Sequence, residues 1–300
     1  MIKKRNLADK RKREPYLMLA PVMLVLLLAY GYPIINSLIM AFQNYKLTQP
    51  DKIYFNGVDN FAKLFSDSDL WMIFRNTLIY VCSCVLAQFT FGFILALALK
   101  KPFKGRGIYQ AIVFLPWAFS AFSIGLIFRW SFNGEYGIVN YLLTNLHLTD
   151  SKLAFLGTPG LSLLVVIIAM IWMGIPFFAI MLLAALQSIP EDLYEAAAID
   201  GCRGIQQFFY IILPFVKPTI ITTVLLRTIW IFNSFDLIVM LTNGGPANKS
   251  QTLLSYMYNK AFSGYDFGFA SAIGVLSMTV LSIFAILFMK TTNYTKAGEF

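Results

Sequence analysis

Charge is what this 300-residue chain has least of: Asp, Glu, Lys and Arg make up 13% of it, about half the usual ~25%. Such a shortage, beside 58% hydrophobic residues, excludes a disordered chain and argues against a charge-rich soluble enzyme. One His and three Cys leave almost nothing for metal or redox chemistry. Cys82 and Cys84 are separated by a single residue and Cys202 is remote, so there is no CxxC. The dipeptide Gly-Lys is absent, and with it the loop that cradles nucleotide phosphates; Gly105-Arg106-Gly107 is only a basic loop. The chain is expected to bind no metal and no cofactor, and to carry no catalytic set.

What is abundant is apolar length. Six stretches, 16–42, 76–99, 108–128, 160–186, 219–241 and 267–289, meet the ~20-residue requirement for crossing a bilayer, and all but the fifth hold no charge at all. The 28 Phe, 15 Tyr and 5 Trp suit lipid-facing surface and interfacial anchoring. The expected fold class is an all-α integral membrane protein with six transmembrane helices. The first stretch follows seven basic residues between Lys3 and Arg13 and reads as an uncleaved anchor, with Pro21 and Pro33 predicted to kink it.

The Lys and Arg bias orients the chain. With the N-terminus inside, inner segments carry 15 basic residues and outer segments six. Both termini are therefore expected in the cytoplasm of a prokaryote, and the net +9 becomes an insertion and lipid-facing signal, with no nucleic-acid partner implied. The organisation expected is a basic N-terminus (1–15), a first span with its outer loop (16–69), a five-span transmembrane domain (70–290) and a tail (291–300). Asp51, Asp59, Asp67 and Asp69 read as solvated loop residues around a short helix near 59–66.

The inner stretch 187–218 is different. Ser188 and Glu191 have the spacing of a capping box, so a short helix is predicted from Ser188 through Leu193, Tyr194, Glu195, Ala196, Ala197 and Ala198. Asp200-Gly201 then reads as its C-terminal cap. Ile205, Phe208, Phe209 and Ile212 define a second short helix, with Pro214 ending it and Pro218 opening the fifth span. The alanines offer no bulk, so a partner could approach the backbone closely; an amphipathic helix lying on the membrane is the alternative.

Glu195-Ala196-Ala197-Ala198-Ile199-Asp200-Gly201, followed by Phe208, Ile211, Leu213 and Pro214, resembles the EAA motif of permease subunits in binding-protein-dependent ABC importers. Cys202 departs from the usual small residue after the glycine. Thr242, Gly244, Gly245 and Pro246 resemble a TxGGP segment of carbohydrate-importer permeases of the maltose type, in compact six-span form. The resemblance implies a type I importer permease fold. It also implies a coupling helix near 188–201, with Glu191, Tyr194, Glu195, Ala196, Ala197, Asp200 and Gly201 seated on an ATP-binding subunit. The implied partners are an ATPase dimer holding ATP and magnesium, a second and different permease subunit, an extracytoplasmic sugar-binding protein and the lipid bilayer.

Ionisable groups at membrane depth are functional candidates by default. Arg227 and Asp236 qualify, nine residues apart and so on opposite faces of a straight helix. Trp230, Asn233 and Ser234 between them could stack on and hydrogen-bond a sugar; helix packing, or snorkelling for the two charges, is the alternative. Gly174 and Pro176 suggest a kink or a close helix approach. The leading expectation is a carbohydrate permease working by alternating access; the alternative is an ion-coupled secondary transporter of a small polar solute.

Overall fold

Residues 15–292 are described in the computed structural model; the basic N-terminal stretch and most of the tail lie outside the described residues. Two compact units are formed, one from residues up to 65 with 260–275, the other from 66–259 with 276 onward.

In the first unit, α1 (Pro15–Met40) is a long, strongly apolar helix with no buried residue. Its Leu and Val side chains are exposed, as suits a helix solvated by lipid. The turns widen to π geometry over Leu27–Gly31, just before Pro33, whose ring and missing N–H cannot fit a regular ladder. Pro21, also predicted to kink the helix, leaves it unbroken. A two-residue hairpin, β1 (Gln43–Asn44) against β2 (Tyr54–Phe55), follows. The helix predicted near 59–66 is α2 (Asp59–Ser66). Its buried Asn60 donates to the carbonyls of Ala41 (2.9 Å) and Gln43 (2.8 Å), and Lys46 pairs with Asp266 at 3.3 Å.

The second unit is built on α3 (Leu70–Lys100) and α7 (Leu161–Gln187). Gly92 is what lets them approach: a Cβ there would lie 2.5 Å from Cβ of Phe178. Small residues serve this purpose where packing, rather than water exclusion, drives helix association. Phe93, Ala96 and Leu99 of α3 interlock with Phe178, Leu182 and Leu186 of α7. The last span, α12 (Phe267–Thr291), contributes its second half to this unit.

Two of the six expected spans differ from simple rods. Stretch 108–128 is a bent pair, α4 (Arg106–Ala118) and α5 (Ala121–Ser131), turning through 95°. Pro116 lies in the last turn of α4, and Ser120 caps α5 by accepting from Ser123 N–H at 3.1 Å, so the sequence stops one helix and starts another within three residues. After it come the short α6 (Ile138–Asn145), α7, and α8 (Glu191–Ile199). The fifth span begins earlier than predicted. Neither Pro214 nor Pro218 ends or opens a helix; α9 runs over Ile205–Asn233 as one piece. A π turn at Phe208–Ile212 absorbs the backbone mismatch ahead of Pro214. The span then breaks at Ser234, whose ψ of 103° is extended, and resumes as α10 (Asp236–Thr242). A short α11 (Leu253–Tyr258) follows, opened by a capping box between Thr252 and Ser255.

Candidate functional site

Three regions hold the residues singled out above. The first is α8. Ile189, buried in the α3–α7 core, anchors the chain before Pro190 turns it. Ser188 is no capping residue for α8: it ends α7, and its hydroxyl donates to Ala185 carbonyl at 2.9 Å. The helix starts at Glu191, with Glu191 and Asp192 in its first turn, where the helix dipole favours negative charge. The far end is a Schellman cap. Cys202 N–H donates to Ala197 carbonyl (2.8 Å) and Gly201 N–H to Ala198 carbonyl (3.1 Å), with Gly201 at φ +79°. Nothing surrounds Gly201 within 4 Å of an added Cβ, so glycine is required by the backbone conformation and not by crowding.

No residue of α8 is buried. Ile199 and Ile205 are 87% and 73% exposed, and Glu195, Ala196, Ala198 and Asp200 are exposed with them. Tyr194 alone turns inward among the larger side chains: Lys100 Nζ sits 3.8 Å above its ring, a cation–π contact. Its hydroxyl is buried without a hydrogen-bond partner. Lys100, Gln187, Glu191, Tyr194 and Glu195 border a recess of about 460 Å³. The second short segment is tied to the first by Gln207, whose amide donates to Cys202 carbonyl at 3.0 Å, and Phe208 packs against Phe93 in a tilted pair with ring centres 5.5 Å apart.

The second region lies at membrane depth. Arg227 does not snorkel; it is 4% exposed, and its Nε donates to Gln88 Oε1 at 2.7 Å. Gln88 in turn donates to Met170 carbonyl at 2.7 Å, so α3, α7 and α9 meet at one polar knot. The guanidinium stands 5.6 Å from the Phe177 ring centre, and no ion pair to it is found among the described residues. Gly174, predicted as a kink or close approach, leaves α7 continuous and makes room instead: a Cβ there would meet Arg227 Nη2 at 2.2 Å and the Gln88 amide at 2.3 Å.

The other residues of this span are dispersed. Trp230 is 48% exposed and packs on Phe177 with ring centres 5.1 Å apart. Asn233 turns its amide back to Ile229 carbonyl at 2.8 Å. Ser234 is the break, and Asp236 is exposed in the first turn of α10. Because the helix is interrupted between them, the straight-helix geometry expected for Arg227 and Asp236 does not apply.

The third region follows α10. Thr242 Oγ1 lies 2.7 Å from Ser250 Oγ and accepts from Gly244 N–H at 3.1 Å. Ser250 donates to Gly245 carbonyl at 2.6 Å, and the Gly245–Pro246 bond is cis. Asn243 and Gly244 take positive φ (47° and 81°), and the Gln251 side chain occupies the space a Cβ on Gly244 would need. Asn76 of α3 donates to Lys249 carbonyl (3.0 Å), Thr77 Oγ1 accepts from Leu253 N–H (2.9 Å), and Asn248 donates to Asp69 (2.8 Å). Tyr256 donates to Asp67. Burial, and then the Asp67 carboxylate, push the Tyr256 phenol well above its usual pKa. Asp67 and Asp69 are thus fasteners rather than merely solvated acids. The sequence does not announce Gln88, Asn76, Thr77 or Gln251; a lone amide or hydroxyl in an apolar run is the available signal for the first three, and Gln251, in a polar loop, has none.

Residues 88–293 match the family described as binding-protein-dependent transport system inner membrane component. The chain is 34% identical to the trehalose/maltose transport system permease protein MalF of Thermococcus litoralis, over 97% of this chain and 99% of that protein. It is 34% identical to the sulfoquinovosyl glycerol transport system permease protein SmoG of Agrobacterium fabrum, covering 89% and 88%. Among solved structures it resembles a chain of a bacterial ABC transporter involved in the import of the acidic polysaccharide alginate, with TM-score 0.82 and 28% identity over 96% of this chain and 98% of that one.

Proposed function

We propose that this chain, which belongs to the family of binding-protein-dependent transport system inner membrane components, is the carbohydrate-translocating permease subunit of an ATP-driven importer. Its fold is that of a type I ABC importer permease, and it is embedded in the membrane. The relatives it resembles are named as transporters of trehalose or maltose and of sulfoquinovosyl glycerol, which supports a sugar or sugar derivative as cargo.

The observation that carries the mechanism is α8: a short helix with no buried residue, closed by a glycine-dependent cap, with Ala196, Ala198 and Ile199 exposed. In this reading it is the coupling helix. Glu191, Glu195 and Asp200 face a cleft of the ATPase, Ala196 and Ala197 allow close approach, and Tyr194 holds the helix to α3. ATP and magnesium belong to the ATPase pair. A second, different permease subunit completes the pathway, an extracytoplasmic binding protein delivers the sugar, and ATP-driven closure of the ATPases opens the pathway by rigid-body movement. Trp230, Asn233, Ser234 and Asp236 are the proposed pathway contacts, while Arg227 braces them. The Thr242–Pro246 segment shapes the delivery side. Both termini are in the cytoplasm.

The test is Gly201→Asp in the reconstituted complex. A non-glycine residue at φ +79° costs about 1–2 kcal/mol and distorts the cap. Sugar uptake driven by ATP should fall at least tenfold, with loss of the co-purifying ATPase. Full transport by this variant would overturn the role of α8; uptake without ATP under an imposed ion gradient would overturn the importer reading.

A further inference from the structure

We propose that the recess between α3 and α7 at the membrane face opposite α8 is a binding site for an anionic phospholipid, with Arg75 and Lys249 holding the headgroup phosphate. Four apolar side chains, Ile79, Leu163, Leu164 and Ile167, receive the start of an acyl chain. The recess has a volume of about 530 Å³ and is lined by these residues together with Asn76, Pro159 and Gly160.

The lining follows from helical spacing. Arg75 and Ile79 are one turn apart on α3, as are Leu163 and Ile167 on α7, with Leu164 beside them and Gly160 capping that helix, so each helix presents one face. Depth sorts polar from apolar. With 31 residues, α3 is about 46 Å long, some 16 Å more than the hydrocarbon core. Centred in the bilayer, about 8 Å of each end projects, and Arg75, about 7.5 Å from the Leu70 end, lies at headgroup level. Ile79 is about 6 Å deeper, where acyl chains begin.

Both cations are exposed and uncommitted. The Lys249 backbone is held at the recess that Arg75 also lines, because the buried Asn76 amide donates to its carbonyl at 3.0 Å and its own N–H donates to Pro246 carbonyl at 2.9 Å. The nearby carboxylates are engaged elsewhere, Asp69 by Asn248 and Asp67 by Tyr256. Among the described residues no carboxylate pairs with Arg75 or Lys249. Two unpaired cations above an apolar floor complement a phosphate bearing net negative charge. They repel the quaternary ammonium of a zwitterionic head. Guanidinium suits phosphate by bidentate hydrogen bonding.

The experiment is native mass spectrometry of the complex as purified, after exchange into nanodiscs of phosphatidylcholine with a minor share of phosphatidylglycerol. Wild type should retain phosphatidylglycerol, and R75Q/K249Q should retain at least tenfold less, while R75K/K249R retains it. I79W, which fills the floor and leaves both cations, should also lose it; this variant separates a lipid site from a bare anion site. Unchanged retention in R75Q/K249Q would overturn the proposal. Displacement of the lipid by millimolar inorganic phosphate, or retention in I79W, would reduce the site to one for free anions and overturn it as well.

Discussion

Adding one methyl group at Gly174 tests the polar knot directly. The Cβ of Gly174→Ala would lie 2.2 Å from Arg227 Nη2 and 2.3 Å from the Gln88 amide, so something must move. Both neighbours are side-chain ends, but neither is free: Gln88 is held at 2.7 Å by Met170 carbonyl on one side and by Arg227 Nε on the other. Overpacking of a filled interior costs about 1–3 kcal/mol. Losing one interhelical hydrogen bond within a bilayer costs about 0.6 kcal/mol and at most about 1.7. The variant should therefore be less stable by about 2–4 kcal/mol, read as a fall in the apparent Tm of the purified complex. Arg227→Met removes the buried cation and one of the two crowding groups, at the cost of one stranded Gln88 oxygen. The double variant should recover part of the loss, with a coupling energy of at least about 1 kcal/mol between the two sites. Additive losses, or a neutral Gly174→Ala, would refute the claim that Gly174 exists to house the guanidinium.

Further expectations follow from the same contacts. Gly92→Val should separate α3 from α7 and cut the yield of intact complex, because its side chain meets Phe178 and the α7 backbone. Gly107→Ala, with nothing within 4 Å, should leave yield unchanged or raise stability by up to about 1 kcal/mol. The Tyr256 pKa is raised in the fold, so the protonated phenol is the form the fold favours. Its contribution is complete below the ordinary value near 10 and is lost as pH rises above it. Denaturation midpoints of wild type should decline above about pH 10 more steeply than those of Tyr256→Phe, and parallel curves would remove the claim. Lys100→Met keeps the aliphatic stem and removes the charge over Tyr194. It should lower uptake per ATP hydrolysed, with Lys100→Arg restoring it.

Spans were legible because a long run of apolar residues almost without charge suits a bilayer and little else, and the α8 segment was legible because acidic residues and a glycine stand out in a chain so poor in charge. Continuity was harder to read. Pro214 looked like a terminator, but a π turn upstream accommodates it, and backbone adjustment of that kind leaves no residue signature. Ser188 and Glu191 have the spacing of a capping box, but Ser188 belongs to the end of the preceding helix, since α7 runs past its apolar stretch to Gln187. Gln88 was invisible for a different reason: its partner Arg227 is 139 residues away, and a long-range hydrogen bond has no periodicity. The same is true of Asn76 and Thr77, which single out a loop 173 and 176 residues later.

The fastenings of α3 have a mechanical consequence. At the Leu70 end, Asn76 and Thr77 grip the segment around Lys249–Leu253. At the Lys100 end, the ammonium rests on Tyr194 of α8. A rod about 46 Å long joins the two. Tilting it by about 10° about one end sweeps the other through about 8 Å, more than the width of a sugar ring. If α8 is the coupling helix proposed above, its displacement need not be relayed through a chain of side-chain rearrangements to be felt across the bilayer; it would have only to turn a lever whose two handles are already attached.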